Sequence, residues 1–270
     1  MGNGAAVRET AVPSSVMQKA FDLLEVFRYG RVLTLSEVAR RAGLPKSTAY
    51  RVLGMLVRVG AVEHEGTGYR IAFRMMAIGA ASPEGAVRHV ALPYLLDLHR
   101  AVGHTIHLCV LRGPEVVYVE KLYTPRARLF ATEVGMALPA HCTSVGKALL
   151  AYTDPDLAET TTTGRLRALT EASVRDPALL RRELRRVRQR GVATDVEEAV
   201  PGRSCVAMPI VLGGEAVAAV SIGFPTEHGS ADVFVPPLRR TVSSIVRALP
   251  GVLTGRGRSP GGTRPHTKSS

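Results

Sequence analysis

Lys46, Ser47, Thr48, Tyr50 and Arg51 crowd hydrogen-bond donors into six consecutive positions. Donors gathered at the start of a helix are what contact with base edges and phosphates in a DNA major groove requires. A second group lies far along the chain, where Asp195, Glu197 and Glu198 fall in one stretch. If that stretch is extended, Asp195 and Glu197 share a face, because side chains alternate along a strand. Paired carboxylates can serve acid–base catalysis. With no nucleophile or metal cluster beside them, ligand binding or support of a loop is the better reading. A third group, His107 and Cys109 with His141 and Cys142, could supply tetrahedral nitrogen and sulfur ligands to zinc. No tight Cys-x2-Cys spacing accompanies it. The cysteines therefore read as small buried hydrophobes and the histidines as hydrogen-bonded core groups, with no metal or other cofactor expected. Gly146-Lys147 lacks the upstream glycines of a phosphate loop.

The donors need a helix in a defined setting, and the flanking sequence predicts one. Thr34 and Glu37 form a capping box, which starts a helix at Leu35 whose apolar residues are Leu35, Val38, Ala39 and Ala42. Gly43 supplies the left-handed corner, and Pro45 suits the first turn of a second helix. In that second helix Ala49, Val52, Leu53, Leu56 and Val57 form one buried stripe, and the donors occupy the other side. Gly60 closes it. Val62 to Glu65 and Tyr69 to Ile71 then flank Gly66-Thr67-Gly68 as a two-stranded wing. The whole pattern is that of a winged helix-turn-helix over residues 14–72, preceded by a leader at 1–13. Ser14 or Ser15 caps a first helix with Val16, Ala20, Leu23, Leu24 and Phe27 on its apolar stripe, expected beneath the reader and at a dimer interface. Residues 73–84, beginning FRMMAIGAA, read as a linker helix that combines core packing with dimer formation.

Beyond Ser82-Pro83-Glu84-Gly85 the period changes. A helix through Val90, Leu95, Leu98 and Val102 ends at Gly103, with Pro93 near its first turn or kinking it. Two-residue periodicity in TIHLCVL (105–111) and VVYVEKL (116–122) predicts an antiparallel hairpin, and Leu129 to Ala131 a further short strand. Residues 135–141 form a loop, Ser144 caps a helix over Val145 to Tyr152, and 160–164 are polar and without regular structure. An arginine-rich helix runs from Pro177 to Gly191, followed by a strand at 192–196 and a hairpin of 205–212 with 216–224. A last helix spans 234–249, and the tail 251–270 has no apolar period. The second domain, 85–250, is thus α+β with an antiparallel sheet. Its loops 135–144 and 195–204 are expected to meet over the hairpin and enclose a cavity.

The chain of 270 residues carries a net charge of +12, which suits a polyanionic partner. The excess is spread out: residues 1–72 hold ten Lys/Arg against six Asp/Glu, and 181–190 hold six Arg against one Glu. That arginine helix reads first as a solvated face and second as an additional DNA contact. Three widely spaced cysteines form no disulfide framework, and no run of eighteen apolar residues occurs. Both features point to a cytoplasmic protein with no membrane association.

The stretches GLPKSTAYRVLGML, LPAHCTSVGKALLA (138–151), DVEEAVPGRSCVAMPI (195–210) and AAVSIGF (218–224) together resemble the IclR family of bacterial transcription regulators, over about residues 14 to 249. The resemblance implies a C-terminal effector-binding domain with a GAF-like fold, and dimers or dimers of dimers on palindromic operators. It also implies a small-molecule pocket over the sheet, at Gly135 and Met136 (whose N–H groups would meet a ligand carboxylate), Asp195, Cys205 and Ser221. Two departures from some relatives, Gly223 in place of a second serine and Arg203 in place of an apolar residue ahead of the cysteine, remove a hydroxyl and add a cation. They point to an anionic or larger effector, such as an aromatic carboxylate.

The expected function is a ligand-responsive regulator, a repressor, that binds double-stranded operator DNA. An enzyme built on the C-terminal domain is the alternative, and the missing nucleophile–base constellation weighs against it. A DNA-architectural protein with no ligand is a third, weaker reading.

Overall fold

The computed structural model describes residues 15–123, 132–153 and 166–249. The expected leader, the strand at 129–131, the polar stretch 160–164 and the tail 251–270 lie outside them. The chain divides into two compact units, with the break between Ala81 and Ser82.

The first unit begins with α1 (Val16–Val26), where the Ser15 hydroxyl accepts from the Gln18 N–H. A two-residue strand β1 (Leu33–Thr34) leads into α2 (Leu35–Arg41). The capping box at its start is formed as the sequence predicts: Thr34 N–H donates to Glu37 at 2.8 Å and Glu37 N–H to the Thr34 hydroxyl at 3.4 Å. Gly43 turns the chain at φ 63° into α3 (Lys46–Arg58). Pro45 stands one place earlier than expected, as the residue capping α3, where its lack of an N–H still costs nothing. The wing strands β2 (Val62–Glu65) and β3 (Gly68–Ile71) join β1 in a sheet of order β1-β3-β2. Gly68 is required where the wing crosses β1, because a Cβ there would lie 2.7 Å from the Val32 side chain and 3.1 Å from Leu33 O.

The core of this unit gathers Leu23, Val38, Ala49, Val52, Leu53 and Leu56. Two expectations need correcting. Val16, at the head of the predicted α1 stripe, is 48% exposed, because the first turns of α1 run past that core. Helix α4 (Phe73–Ala80) buries none of its residues, so its core-packing role reduces to partial contact by Met75.

In the second unit, Ser82 caps α5 (Pro83–Val102), which Pro83 opens and Gly103 closes in the left-handed conformation. Pro93 therefore sits mid-helix and exposed, not in the first turn, because the Ser82-Pro83 start lies ten residues upstream. Strands β4 (Thr105–Arg112), β5 (Glu115–Leu122), β6 (Ala137–Pro139), β7 (Ala193–Val196), β8 (Arg203–Leu212) and β9 (Glu215–Pro225) form one antiparallel sheet of order β6-β5-β4-β9-β8-β7. The residues expected as a loop at 137–139 are thus a short edge strand on β5.

Both faces of the sheet are covered, and strand alternation sorts the side chains between them. Ile106, Leu108, Val206, Ile210, Val220 and Ile222 meet α5 and α8 (Val235–Ala248) on one face. Cys109, Ala207 and Ala219 meet α6 (Ser144–Leu150) and α7 (Pro177–Arg190) on the other. Thr143, not Ser144, caps α6, its hydroxyl accepting from Gly146 N–H. The small residues on this second face leave room for α6 to lie close, and the same face becomes polar toward the ends of β4, β7, β8 and β9.

Candidate nucleic-acid interface and ligand cavity

Lys46, Ser47, Tyr50 and Arg51 stand exposed on the N-terminal part of α3, and Thr48 is half-buried beside them. The buried stripe Ala49, Val52, Leu53 and Leu56 fixes their outward direction, since it locks the rotation of the helix against α1 and α2. This arrangement can present two cationic groups, two hydroxyls and a phenol to a groove. On the wing, Arg70 pairs with Glu63 at 2.6 Å and Glu65 at 2.9 Å, so the one arginine of its strands is already engaged by two carboxylates.

In the second unit the sheet register assembles a polar cluster. Ser221 on β9 lies opposite His107 on β4, and Cys205 on β8 lies opposite Asp195 on β7. All four belong to the α6 side of the sheet. With Tyr118, Thr132, Ser144 and Arg203 they line an enclosed cavity of about 20 Å³, close to the room one water molecule needs. Ser221 Oγ is 3.5 Å from His107 Nδ1, and His107 Nε2 is 3.0 Å from Thr132 Oγ1. Burial, with Lys121 nearby, lowers His107 to about 3, so the ring is neutral at physiological pH. So weak a base is poorly suited to take a hydroxyl proton near neutrality, and the 3.5 Å contact with Ser221 is a long one.

Asp195 is 3% exposed. Burial and the neighbouring Glu198 carboxylate push it up to about 7 from its ordinary 3.8, against the opposing effect of the Glu198 N–H, which donates to it at 2.7 Å. The strand alternation expected to align Asp195 with Glu197 stops at Val196. Glu197 takes a left-handed φ of 59° and donates its N–H to Arg203 O. That corner turns Glu198 inward instead, where it meets Lys147 at 2.6 Å. Lys147 is 2% exposed and also reaches Glu183 at 2.8 Å. Burial alone would lower the lysine, but the two carboxylates raise it above its ordinary value and keep it charged. Thr170 and Ser173 hydroxyls hold the carbonyls of Glu197 and Glu198, pinning this loop from outside.

The cavity brings together four of the six residues expected at a pocket: Asp195, Arg203, Cys205 and Ser221. Gly135 and Met136 are not among its lining, and their N–H groups are already used. Gly135, at φ 80°, donates to Tyr118 O at 2.7 Å, and Met136 donates to Glu133 O at 2.9 Å. In this conformation neither is free for a carboxylate, because the turn consumes the Met136 donor and strand β5 the Gly135 donor. Gly223 lies two residues past Ser221, paired with Cys205 and Thr105. His141 Nε2 and Cys142 Sγ both contact Arg167 O, and among the described residues no His, Cys, Asp and Glu cluster could hold a metal ion.

Sequence reasoning missed His107, Tyr118 and Thr132 as cavity residues. His107 carried a signal, as a histidine inside an otherwise apolar strand. Tyr118 carried none, because a β-bulge between Leu108 and Cys109 shifts the β4–β5 register that places it.

Two family comparisons cover most of the chain. Residues 16–66 match the IclR helix-turn-helix domain, and residues 81–247 match the bacterial transcriptional regulator IclR C-terminal domain. The HTH-type transcriptional regulator BhcR of Paracoccus denitrificans is 33% identical over 215 residues, covering 78% of this chain and 77% of its own. The regulator Rv1719 of Mycobacterium tuberculosis is 32% identical over 212 residues, 78% of this chain and 81% of its own. Among solved structures, an IclR homologue from Microbacterium hydrocarbonoxydans complexed with 4-hydroxybenzoate superposes with a TM-score of 0.77 at 29% identity, over 88% of this chain and 100% of that one. The Thermotoga maritima IclR does so with a TM-score of 0.72 at 26% identity, over 86% and 98%.

Proposed function

This chain belongs to the IclR family of bacterial transcriptional regulators, and from that premise we infer that it is a cytoplasmic repressor whose α3 reads a palindromic operator and whose C-terminal cavity takes a small organic acid. Lys46 holds phosphate, and Ser47, Thr48, Tyr50 and Arg51 set register and base preference. The exposed apolar side chains of α1 and α4, notably Phe73 at 72% and Met76 at 62%, supply a surface for a second copy. Two-fold pairing matches a palindrome.

The observation that carries the effector reading is the enclosed cavity itself. Its wall combines Arg203 with the neutral groups of Ser221, His107 and Tyr118, and with an Asp195 that is easily protonated. Such a wall accepts an anion without stranding a second buried negative charge. An aromatic hydroxy acid fits this chemistry, and 4-hydroxybenzoate occupies the related Microbacterium protein. The cavity of about 20 Å³ is far smaller than the roughly 300 Å³ at which small-molecule pockets begin. Binding therefore displaces the segments around Ser144 or Arg203. A ligand that favours one conformation in this way shifts the equilibrium of the whole regulator by its differential affinity.

Thermal shift with 4-hydroxybenzoate and a panel of small carboxylates tests the site. The best ligand should stabilise the wild-type chain. Ser221→Ala should weaken it about tenfold, the effect of losing roughly 1.4 kcal/mol, and Arg203→Leu should change which acids bind. Unaltered responses in both variants would place the ligand elsewhere.

A further inference from the structure

The arginines of α7 are not accounted for by either site. Leu180, Leu184 and Val187 face the core. At 3.6 residues per turn, Arg181, Arg182, Arg185, Arg186 and Arg190 then fall on the opposite half of the helix, and all five are exposed. Among the described residues none of the five has an acidic partner. The one glutamate of the helix, Glu183, is turned inward to Lys147. Arg188, at the edge of this face, is employed structurally: it donates to Ala151 O at 2.8 Å and lies over the Tyr152 ring. The remaining five repel one another along i, i+4 rows, 181–185 and 182–186–190, which weakens the helix unless something anionic offsets the repulsion.

We propose that the outer face of α7 is a second DNA-binding surface, one that grips the phosphate backbone of duplex DNA without reading sequence. It goes beyond the α3 reading, since it involves a different element and no base contact. The chemistry favours phosphodiester over other polyanions. Side chains four apart on a helix stand about 6 Å from one another, so the two rows present guanidinium forks at a spacing suited to successive phosphates, and each fork can bind bidentately. A membrane-surface helix needs an apolar face to insert, but the apolar face of α7 is spent on the sheet. A protein interface needs apolar or aromatic anchors at its centre and few charges there, and the centre of this face is arginine. The chain also tethers α7 to whatever DNA its first unit holds, which raises the local concentration of phosphate.

The test measures binding of the intact chain to a long fluorescent duplex of arbitrary sequence as salt is varied. Five substitutions are made together: Arg181→Gln, Arg182→Gln, Arg185→Gln, Arg186→Gln and Arg190→Gln. If two to five of these arginines hold phosphates, the log–log salt slope becomes shallower by roughly 2 to 4.5, at about 0.9 per phosphate. The five corresponding Arg→Lys changes should restore most of the slope. A control, Arg239→Gln with Arg240→Gln and Arg247→Gln on α8, removes charge elsewhere and should leave the slope unchanged. An unchanged slope in the α7 variant overturns the proposal, and so does an equal change in the control, which would make net charge the cause. Loss of binding to anionic phosphatidylglycerol vesicles, with DNA binding intact, would assign the face to membranes and also overturn it. The α3 reading is separated by Lys46→Ala with Arg51→Ala. If that variant keeps wild-type DNA affinity while the α7 variant loses it, the α3 reading fails and the α7 surface stands.

Discussion

Asp195 shows how much the surroundings of one side chain decide. Its carboxyl ordinarily titrates near 3.8, and in the folded chain burial and Glu198 raise it to about 7. Below pH 3.8 both folded and unfolded chains carry the proton, and the residue contributes no pH dependence. As pH rises past that value, the unfolded chain ionises while the folded one does not, so stability is lost until about pH 7, where the folded carboxyl ionises too. The total is on the order of 4 kcal/mol, at 1.36 kcal/mol per pKa unit. Asp195→Asn should abolish this slope: in denaturant titrations its advantage over wild type should grow between about pH 4 and 7 and then level off. A constant difference across that window would show the carboxyl to be ionised already in the folded chain. Lys147 differs in that its charge is one the fold requires: its pKa too is raised, by Glu198 and Glu183. Lys147→Met leaves Glu198 buried beside no cation and should cost about 3–5 kcal/mol. Adding Glu198→Gln to that variant should recover a good part of the loss, measured by the same titrations.

At the scale of elements, close approach between α6 and the turn that precedes it sets one wall of the cavity. A Cβ on Gly146 would lie 2.0 Å from Ala140 O and 2.5 Å from Ala140 Cα, both backbone atoms that no rotamer change can move. Gly146→Ala should therefore destabilise by at least about 3 kcal/mol. It should also blunt the ligand response, because Thr143 and Ser144 between the two are part of the cavity wall. Wild-type melting and wild-type ligand shift in this variant would mean that the turn moves freely and that α6 does not shape the pocket. In the first unit, the capping box and Gly43 were legible because each is a local arrangement whose hydrogen bonds close within a few residues. The exposure of α4 was not legible: an apolar octapeptide reads identically whether its cover comes from its own chain or from another.

At the scale of the whole molecule, that apolar surface belongs with the proposed pairing of chains. Sedimentation at micromolar concentration should give at least twice the chain mass of 28.9 kDa. Phe73→Ser with Met76→Ser should shift the chain toward monomer and lower DNA affinity, since a single reader helix loses its second half-site. A wild-type chain that sediments only as a monomer, with and without DNA, would end the palindrome argument.

Periodicity, caps and turn glycines by themselves determined the helix-turn-helix, the strands β4, β5, β7, β8 and β9 of the second unit and the direction in which Lys46, Ser47, Tyr50 and Arg51 point, because each depends on neighbours a few residues away. The family resemblance likewise named Asp195, Cys205 and Ser221, and the departure from it Arg203, which the fold does gather around one cavity. Only the tertiary structure decided that His107 and Tyr118 join them, that Gly135 and Met136 spend their N–H groups internally, and that Lys147 is the buried partner of Glu183 and Glu198. Those outcomes depend on a bulge in β4–β5, a left-handed Glu197 and sheet pairing between residues far apart in sequence, such as Ser221 and His107, 114 positions apart. The packing energy of distant segments sets such features, and no local pattern encodes it.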